Sequence, residues 1–312
     1  MNTREWSDWS CAVLVTTTDA ADLDRAVDQV HRVMSEVEAA ASRFREDSDL
    51  ARINAAAGRF VSVSALTLDL VGLSLDVAER TAGAVTPTVG AALERLGYDA
   101  DIEVVAARDA RDARDARGAR DAGPAEAPCA APSAAASVRL DHELRRVGVG
   151  RGVRIDLGAL AKAYAVDEAL RRIGPRADGA VLVGIGGDLC VHGAPVDGWP
   201  IAVSETAGGP AETVMIEFGA LATSSTMGRR WAGGRHHIVD PRTGHSTDGP
   251  WRTATVWAPT AVEANILSTW LLVDAEAAER ALAADPRPVR AVTSAGVVRA
   301  QHGWPVEEAI AS

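Results

Sequence analysis

An α+β fold follows from three features of this 312-residue sequence. Strand-like runs stand next to one another as hairpins, helical runs interrupt them at irregular intervals, and the strict strand–helix–strand alternation of a parallel sheet is absent. Hydrophobic residues make up 47% and charged residues 24%, enough apolar surface for a core and too little charge for a disordered chain.

The elements follow in order. Cys11–Thr18 is β-rich and ends at Asp19, so it predicts a first strand. From Asp22 to about Phe44, Leu23, Ala26, Val27, Val30, Val33, Met34 and Val37 recur at helical spacing. Ser42–Asn54 predicts a turn and a short helix capped by Ser48; Gly58 then precedes a strand over 60–63. Ser64 caps a helix to about Thr81, and Gly83–Gly90 forms a loop that opens another short helix. Between about Ala106 and Ser137 an Ala-Arg-Asp repeat gives way to an Ala/Pro-rich stretch. A period of three walks charge around a helix and leaves no apolar face, so this predicts a disordered insertion in a single domain spanning 1–312.

Strand signals resume at Ser137–Asp141 and Val147–Val149, followed by a helix from about Leu160 to Ile173. Further strands are expected at Ala180–Ile185, Trp199–Ser204, Val214–Phe218, Leu221–Ser224 and Ala254–Ala258. Helices over 261–273 and 275–284 and strands over 289–294 and 296–300 complete the chain.

The net charge of −11 excludes a basic protein that coats nucleic acid. Three widely spaced cysteines form neither a disulfide framework nor a zinc motif and point to a reducing compartment. Met1–Asp8 is polar and the apolar run Cys11–Val15 is too short for a signal core or a membrane span, so a cytoplasmic protein is expected. Of the 32 basic residues all but Lys162 are arginine. Two readings of the lone lysine are open: a position where a compact ammonium serves and a planar guanidinium does not, or chance.

Four segments could carry chemistry. Gly184-Ile-Gly186-Gly187-Asp188 lacks the third glycine of a dinucleotide fingerprint, so a tight turn is the simpler expectation. Ile155–Asp167 sets Asp156 near a helix entrance among small residues, with Lys162 one to two turns in; phosphate contact and plain capping are both open. Thr223-Ser224-Ser225 and His236–Gly244 offer hydroxyls and two adjacent histidines, of which a strand turns one to each side. Asn265 and Thr269 are i and i+4, so two side-chain oxygens share a helix face; that pattern suits Mg²⁺, or else simple capping.

Taken in order, Ser42–Asn54, Gly83–Gly90, Ile155–Asp167, Val183–Gly193, Ala222–Ser225 with His237–Gly244, and Thr255–Thr269 resemble the ApbE family of FAD:protein FMN transferases. The resemblance implies a T-fold-like α+β flavin transferase with mixed or antiparallel sheets flanked by helices. Its substrate would be FAD, its cofactor Mg²⁺, and its partner an acceptor protein whose Thr or Ser hydroxyl takes FMN as AMP leaves. No nucleic acid or membrane segment is implied. By position, His237 would be the catalytic base, and Phe44, Ala84, Val85, Thr86, Asp156, Lys162 and Ile238 would hold FAD. The Ala159 carbonyl, Asn265 and Thr269 would hold the metal. Asn265 stands where the family usually has Asp, which removes a formal negative charge from the metal site, and Thr86 stands for the usual Asp of the loop that holds the flavin. Two other outcomes therefore stay open, a divergent FAD-binding protein without transfer and an FAD pyrophosphatase releasing FMN and AMP.

Overall fold

A computed structural model of the chain describes residues 1–115, 132–205 and 208–305. The first half contains β1 (Asn2–Asp8), β2 (Cys11–Thr17), α1 (Ala20–Ala41), α2 (Asp49–Ala55), β3 (Phe60–Ser62) and α3 (Ala65–Arg80). These are followed by α4 (Gly90–Arg95), α5 (Ile102–Asp115), β4 (Val138–Asp141), β5 (Arg146–Val149) and α6 (Gly158–Ile173). Then come β6 (Val181–Ile185), β7 (Asp188–His192), β8 (Trp199–Ser204), β9 (Ala211–Ile216) and β10 (Gly219–Ser225). Short strands β11 (Arg230–Trp231), β12 (Arg235–His236), β13 (Val239–Asp240) and β14 (His245–Ser246) lead to β15 (Trp251–Ala258). α7 (Ala261–Val273), α8 (Ala275–Ala284), β16 (Val289–Thr293) and β17 (Val298–Gln301) end the described chain. The α+β expectation holds.

The described chain divides into two compact units. The first comprises 1–33, 162–227 and 249–312, the second 34–161 and 228–248. In the first unit an eight-stranded sheet runs β1-β2-β6-β7-β10-β15-β16-β17, every neighbour antiparallel. Small buried residues, Ala222, Ala258 and Ala264, let α7 lie close on one face. Leu182, Val191 and Leu221 join the β8–β9 hairpin in a second cluster around Trp199, whose indole N–H donates to the Gly193 carbonyl at 2.9 Å. Burying an aromatic of this size is worth roughly 1.5–3 kcal/mol.

The glycines that might have cradled a dinucleotide instead close the β6–β7 hairpin. Gly186 has φ +63°, and a Cβ on Gly187 would fall 2.6 Å from the Thr223 carbonyl oxygen, while Thr223 N–H donates to the Gly187 carbonyl. The turn presses against β10 and presents Asp188 at the first position of β7.

The second unit packs α2–α5 with a three-stranded sheet β3-β5-β4 and two short hairpins, β11–β12 and β13–β14. Leu93, Leu96, Tyr98, Val105, Trp231 and Val239 form one of its clusters, and the Trp231 indole donates to the Leu96 carbonyl at 2.6 Å.

Two sequence expectations change. Polar Asn2–Asp8 is a strand: it pairs along its whole length with β2 across a Trp9-Ser10 turn in which both residues have positive φ. As the outer strand of the sheet it pairs on one side only and needs little apolar content. The expected disordered insertion begins inside a helix, because α5 continues to Asp115. Val105 is fully buried, Arg108 donates to the Gly97 carbonyl and pairs with Asp99, and Asp109 accepts Ala232 N–H. One anchored turn and an alanine-rich composition sustain the helix without a continuous apolar face. A short 3₁₀ segment, Pro132–Ser137, enters β4, and the part of the expected insertion at 116–131 lies outside the described residues. Among the described residues no helix is long and apolar enough to cross a membrane.

Candidate active site

In the first unit the chemistry gathers on α7. Its amino-terminal end is closed by side chains. Asp167, on α6, accepts Ala261 N–H at 2.8 Å and Val262 N–H at 3.0 Å, and Thr260 Oγ1 accepts Glu263 N–H at 3.2 Å. Burial raises the Asp167 carboxyl above the ordinary carboxylate range although both backbone bonds pull it down. The facing Cys190 thiol is pushed up to about 12 by burial and by the Asp167 carboxylate, so it stays protonated.

One turn along, Asn265 is buried. Its Nδ2 donates to Asp188 Oδ1 at 3.0 Å, while its Oδ1 is buried with no hydrogen-bond partner. Thr269 lies one further turn along the same helix, as the i, i+4 spacing predicts. Ser224 Oγ on β10 sits 2.9 Å from both Ser268 Oγ and Thr269 Oγ1, and Ser268 donates to the Asn265 carbonyl. Proton counting then orders the chain. Ser268 spends its proton on that carbonyl, Ser224 gives its own to Ser268, and Thr269 gives its own to Ser224. Thr269 Oγ1 keeps its lone pairs for an acceptor role. The β10–β15 register separates the neighbours of Ser224: Thr223 and Ser225 pair with Thr255 and Thr253 on the opposite face.

Among the described residues no three His, Cys, Asp or Glu converge on a metal-sized site. The donor set on α7 is an amide oxygen and a hydroxyl beside a buried carboxylate. Hard oxygen donors of this kind suit Mg²⁺ better than a soft metal. An unpaired buried amide oxygen costs about 1–3 kcal/mol unless a donor or a cation meets it, so the residues fit a cation. Lys162 lies on α6 near the β6–β7 turn, where a Cβ at Gly186 would fall 3.9 Å from its Cδ.

In the second unit Asp156 and Phe44 are brought together by Arg43, a residue the sequence did not flag. Arg43 Nε pairs with Asp156 at 2.8 Å, the two side chains being 9% and 11% exposed, and Nη1 donates to the Tyr98 carbonyl at 2.5 Å. The guanidinium lies 4.4 Å from the ring centres of both Phe44 and Tyr98, and Tyr98 stacks on Trp231 at 5.2 Å. Arg43 Nη2 is buried with no hydrogen-bond partner. Asp156 also accepts Gly158 N–H at the start of α6, and Ala159 is exposed in the first turn.

The loop Ala84–Thr86 is held from within. Thr81 Oγ1 accepts Val85 N–H, the Val85 side chain is buried, and Thr86 caps the short 3₁₀ turn that starts at Pro87. The two histidines differ in burial, His236 closing β12 and His237 lying in the bend that follows it. His236 is buried, bonds the Thr247 carbonyl through Nε2 at 3.0 Å and is held below the ordinary histidine range by burial. A carbonyl can only accept, so Nε2 carries the proton and His236 is structural. His237 is half-buried, and Ile238 is buried with its carbonyl accepting Thr247 N–H. Asp240–Gly244 is the turn its composition predicts, closed by Gly244 N–H on the Asp240 carbonyl.

Solved structures share this fold. The ApbE protein of Thermotoga maritima superposes with a TM-score of 0.76 at 24% identity, covering 96% of each chain. The Pseudomonas stutzeri flavinyl transferase ApbE, in its apo form, does so at 0.76 and 19% identity, covering 96% of this chain and 95% of that one. The architecture is therefore the α+β fold of these proteins. The chain belongs to the ApbE family, whose model matches residues 8–293. The FAD:protein FMN transferase of Treponema pallidum (strain Nichols) is 27% identical over 269 residues, 80% of this chain and 71% of that protein. The FAD:protein FMN transferase of Escherichia coli (strain K12) is 25% identical over 285 residues, 81% and 72% respectively.

Proposed function

We propose that this chain is a Mg²⁺-dependent FAD:protein FMN transferase that esterifies FMN to a Thr or Ser hydroxyl of an acceptor protein and releases AMP. The observation that carries the metal dependence is the buried, unpartnered Asn265 Oδ1 one turn from Thr269, on a helix that Asp167 fixes. Asn265 and Thr269 would hold the ion. When bound, Mg²⁺ would draw charge from the pyrophosphate and make AMP a better leaving group.

The remaining steps belong to side chains. Asp156 and Lys162 bind FAD, and Phe44 with the Ala84–Thr86 loop holds the flavin. His237 takes the proton of the acceptor hydroxyl as its oxygen attacks the FMN phosphorus. The P–O bond to AMP breaks, AMP departs with the bridging oxygen, and His237 returns its proton to solvent. Such a base contributes about 10²–10⁴-fold to the rate.

The test is incubation with FAD, Mg²⁺ and candidate acceptors. Transfer yields a fluorescent acceptor band on a denaturing gel and one AMP per label, both abolished by EDTA. FMN and AMP without a labelled band would mean a pyrophosphatase; tight FAD binding without turnover would mean a binding protein. Lys162→Arg is expected to weaken FAD binding about tenfold, about 1.4 kcal/mol, measured by flavin fluorescence quenching. Unchanged affinity would return the single lysine to coincidence.

A further inference from the structure

Asp188 is 2% exposed, so its carboxylate gains little from solvent. A buried carboxylate costs several kcal/mol unless paired or hydrogen-bonded. Its position follows from the hairpin: the Gly186-Gly187 turn starts β7 at Asp188, which pairs with Ala222 on the neighbouring β10. Asp188 and Cys190 are an alternate pair along β7, and both point at the helices: Cys190 faces Asp167 on α6, and Asp188 bonds Asn265 on α7.

The bond to Asn265 has two consequences. An amide carries a donor end and an acceptor end, and a carboxylate takes only the donor. With Nδ2 fixed on Asp188, Oδ1 faces the other way, and it is this oxygen that is buried without a donor. Asp188 therefore selects which end of the amide is offered. It also leaves one negative charge a single hydrogen bond behind a neutral ligand, the outer-shell arrangement that orients ligands and raises their donor strength.

We propose that Asp188 is the positioning residue of the metal site, holding the Asn265 amide with its oxygen outward and supplying the charge that Asn265 lacks. This rests on the metal-dependent function proposed above and assigns to that site a residue outside its direct ligands. That carboxylate lies on β7, one hydrogen bond behind the amide on α7.

The test uses the full chain and Mn²⁺, with free Mn²⁺ read by electron paramagnetic resonance and melting followed with and without the ion. Asp188→Asn should weaken Mn²⁺ binding at least about tenfold, because the amide loses its fixed orientation and the site its charge. The exchange variant, Asp188→Asn with Asn265→Asp, keeps one amide–carboxylate bond and should bind at or above the wild-type affinity. Asn265→Asp alone sets two carboxylates together. It should melt lower than wild type without metal and gain more from Mn²⁺. Equal Mn²⁺ affinity in wild type and Asp188→Asn overturns the role of Asp188 and leaves the transferase function standing. So does an exchange variant no tighter than Asp188→Asn. A wild-type protein that takes up no Mn²⁺ overturns both.

Discussion

Replacement of His237 by Asn is expected to slow labelling of the acceptor about 10²–10⁴-fold while FAD affinity changes by less than about threefold, the signature of a lost general base. The geometry separates this residue from its neighbour. His236 spends Nε2–H on the Thr247 carbonyl, is buried, and sits below the ordinary histidine range, so it holds the β11–β12 and β13–β14 segment together. His237 follows β12 in a bend and is half-buried. His236→Gln, whose amide can still donate to that carbonyl, should keep most transferase activity and instead lower the melting temperature. Rates from single-turnover labelling, with FAD binding measured in parallel, check both. Equal losses in the two variants would mean that the segment acts only through its structure.

Much of this was legible in sequence because the signals are local. Ser48 and Ser64 cap the helices that their positions predict, accepting Ala51 and Thr67 N–H. The i, i+4 spacing of Asn265 and Thr269 places two oxygens on one face of α7 without knowledge of the fold. What stayed hidden is what those oxygens touch. Asp188 is 77 residues from Asn265 and Ser224 is 45 from Thr269. In sequence, Asp188 is merely the residue after a Gly-Gly turn, and its role depends on the register of β6, β7 and β10. Arg43 stands between Ser42 and Phe44, where nothing local reveals that it meets Asp156 and lies over Tyr98. α5 escapes the charge pattern for a related reason: its charges are satisfied by Gly97, Asp99 and Ala232, partners that periodicity does not see.

Loss of the carboxylate that fixes α7 should produce the largest stability effect. Of the first four N–H groups of the helix, Asp167 accepts those of Ala261 and Val262, Thr260 Oγ1 accepts that of Glu263, and the Thr260 carbonyl accepts that of Ala264. Asp167→Ala strips two of these bonds in a place where Ala261 is fully buried. It also removes the carboxylate that the Cys190 thiol faces. Buried donors left without acceptors cost about 1–3 kcal/mol each, so a loss of about 3 kcal/mol is expected. For a chain of 312 residues, at about 2.1 cal/mol/K per residue, that lowers Tm by roughly 4–5 °C. Asp167→Asn retains one acceptor oxygen and sheds a charge whose burial is costly, so its loss should be less than half as large. The same substitution reports on function, because Asn265 sits one turn beyond the bonds that are cut. If Asp167 sets the entry of α7, Mn²⁺ affinity must fall together with Tm in Asp167→Ala and recover partly in Asp167→Asn. A melting temperature that drops while Mn²⁺ affinity holds would show that the hydroxyl and amide cluster on Ser224, Ser268 and Asp188 is enough to keep α7 in register.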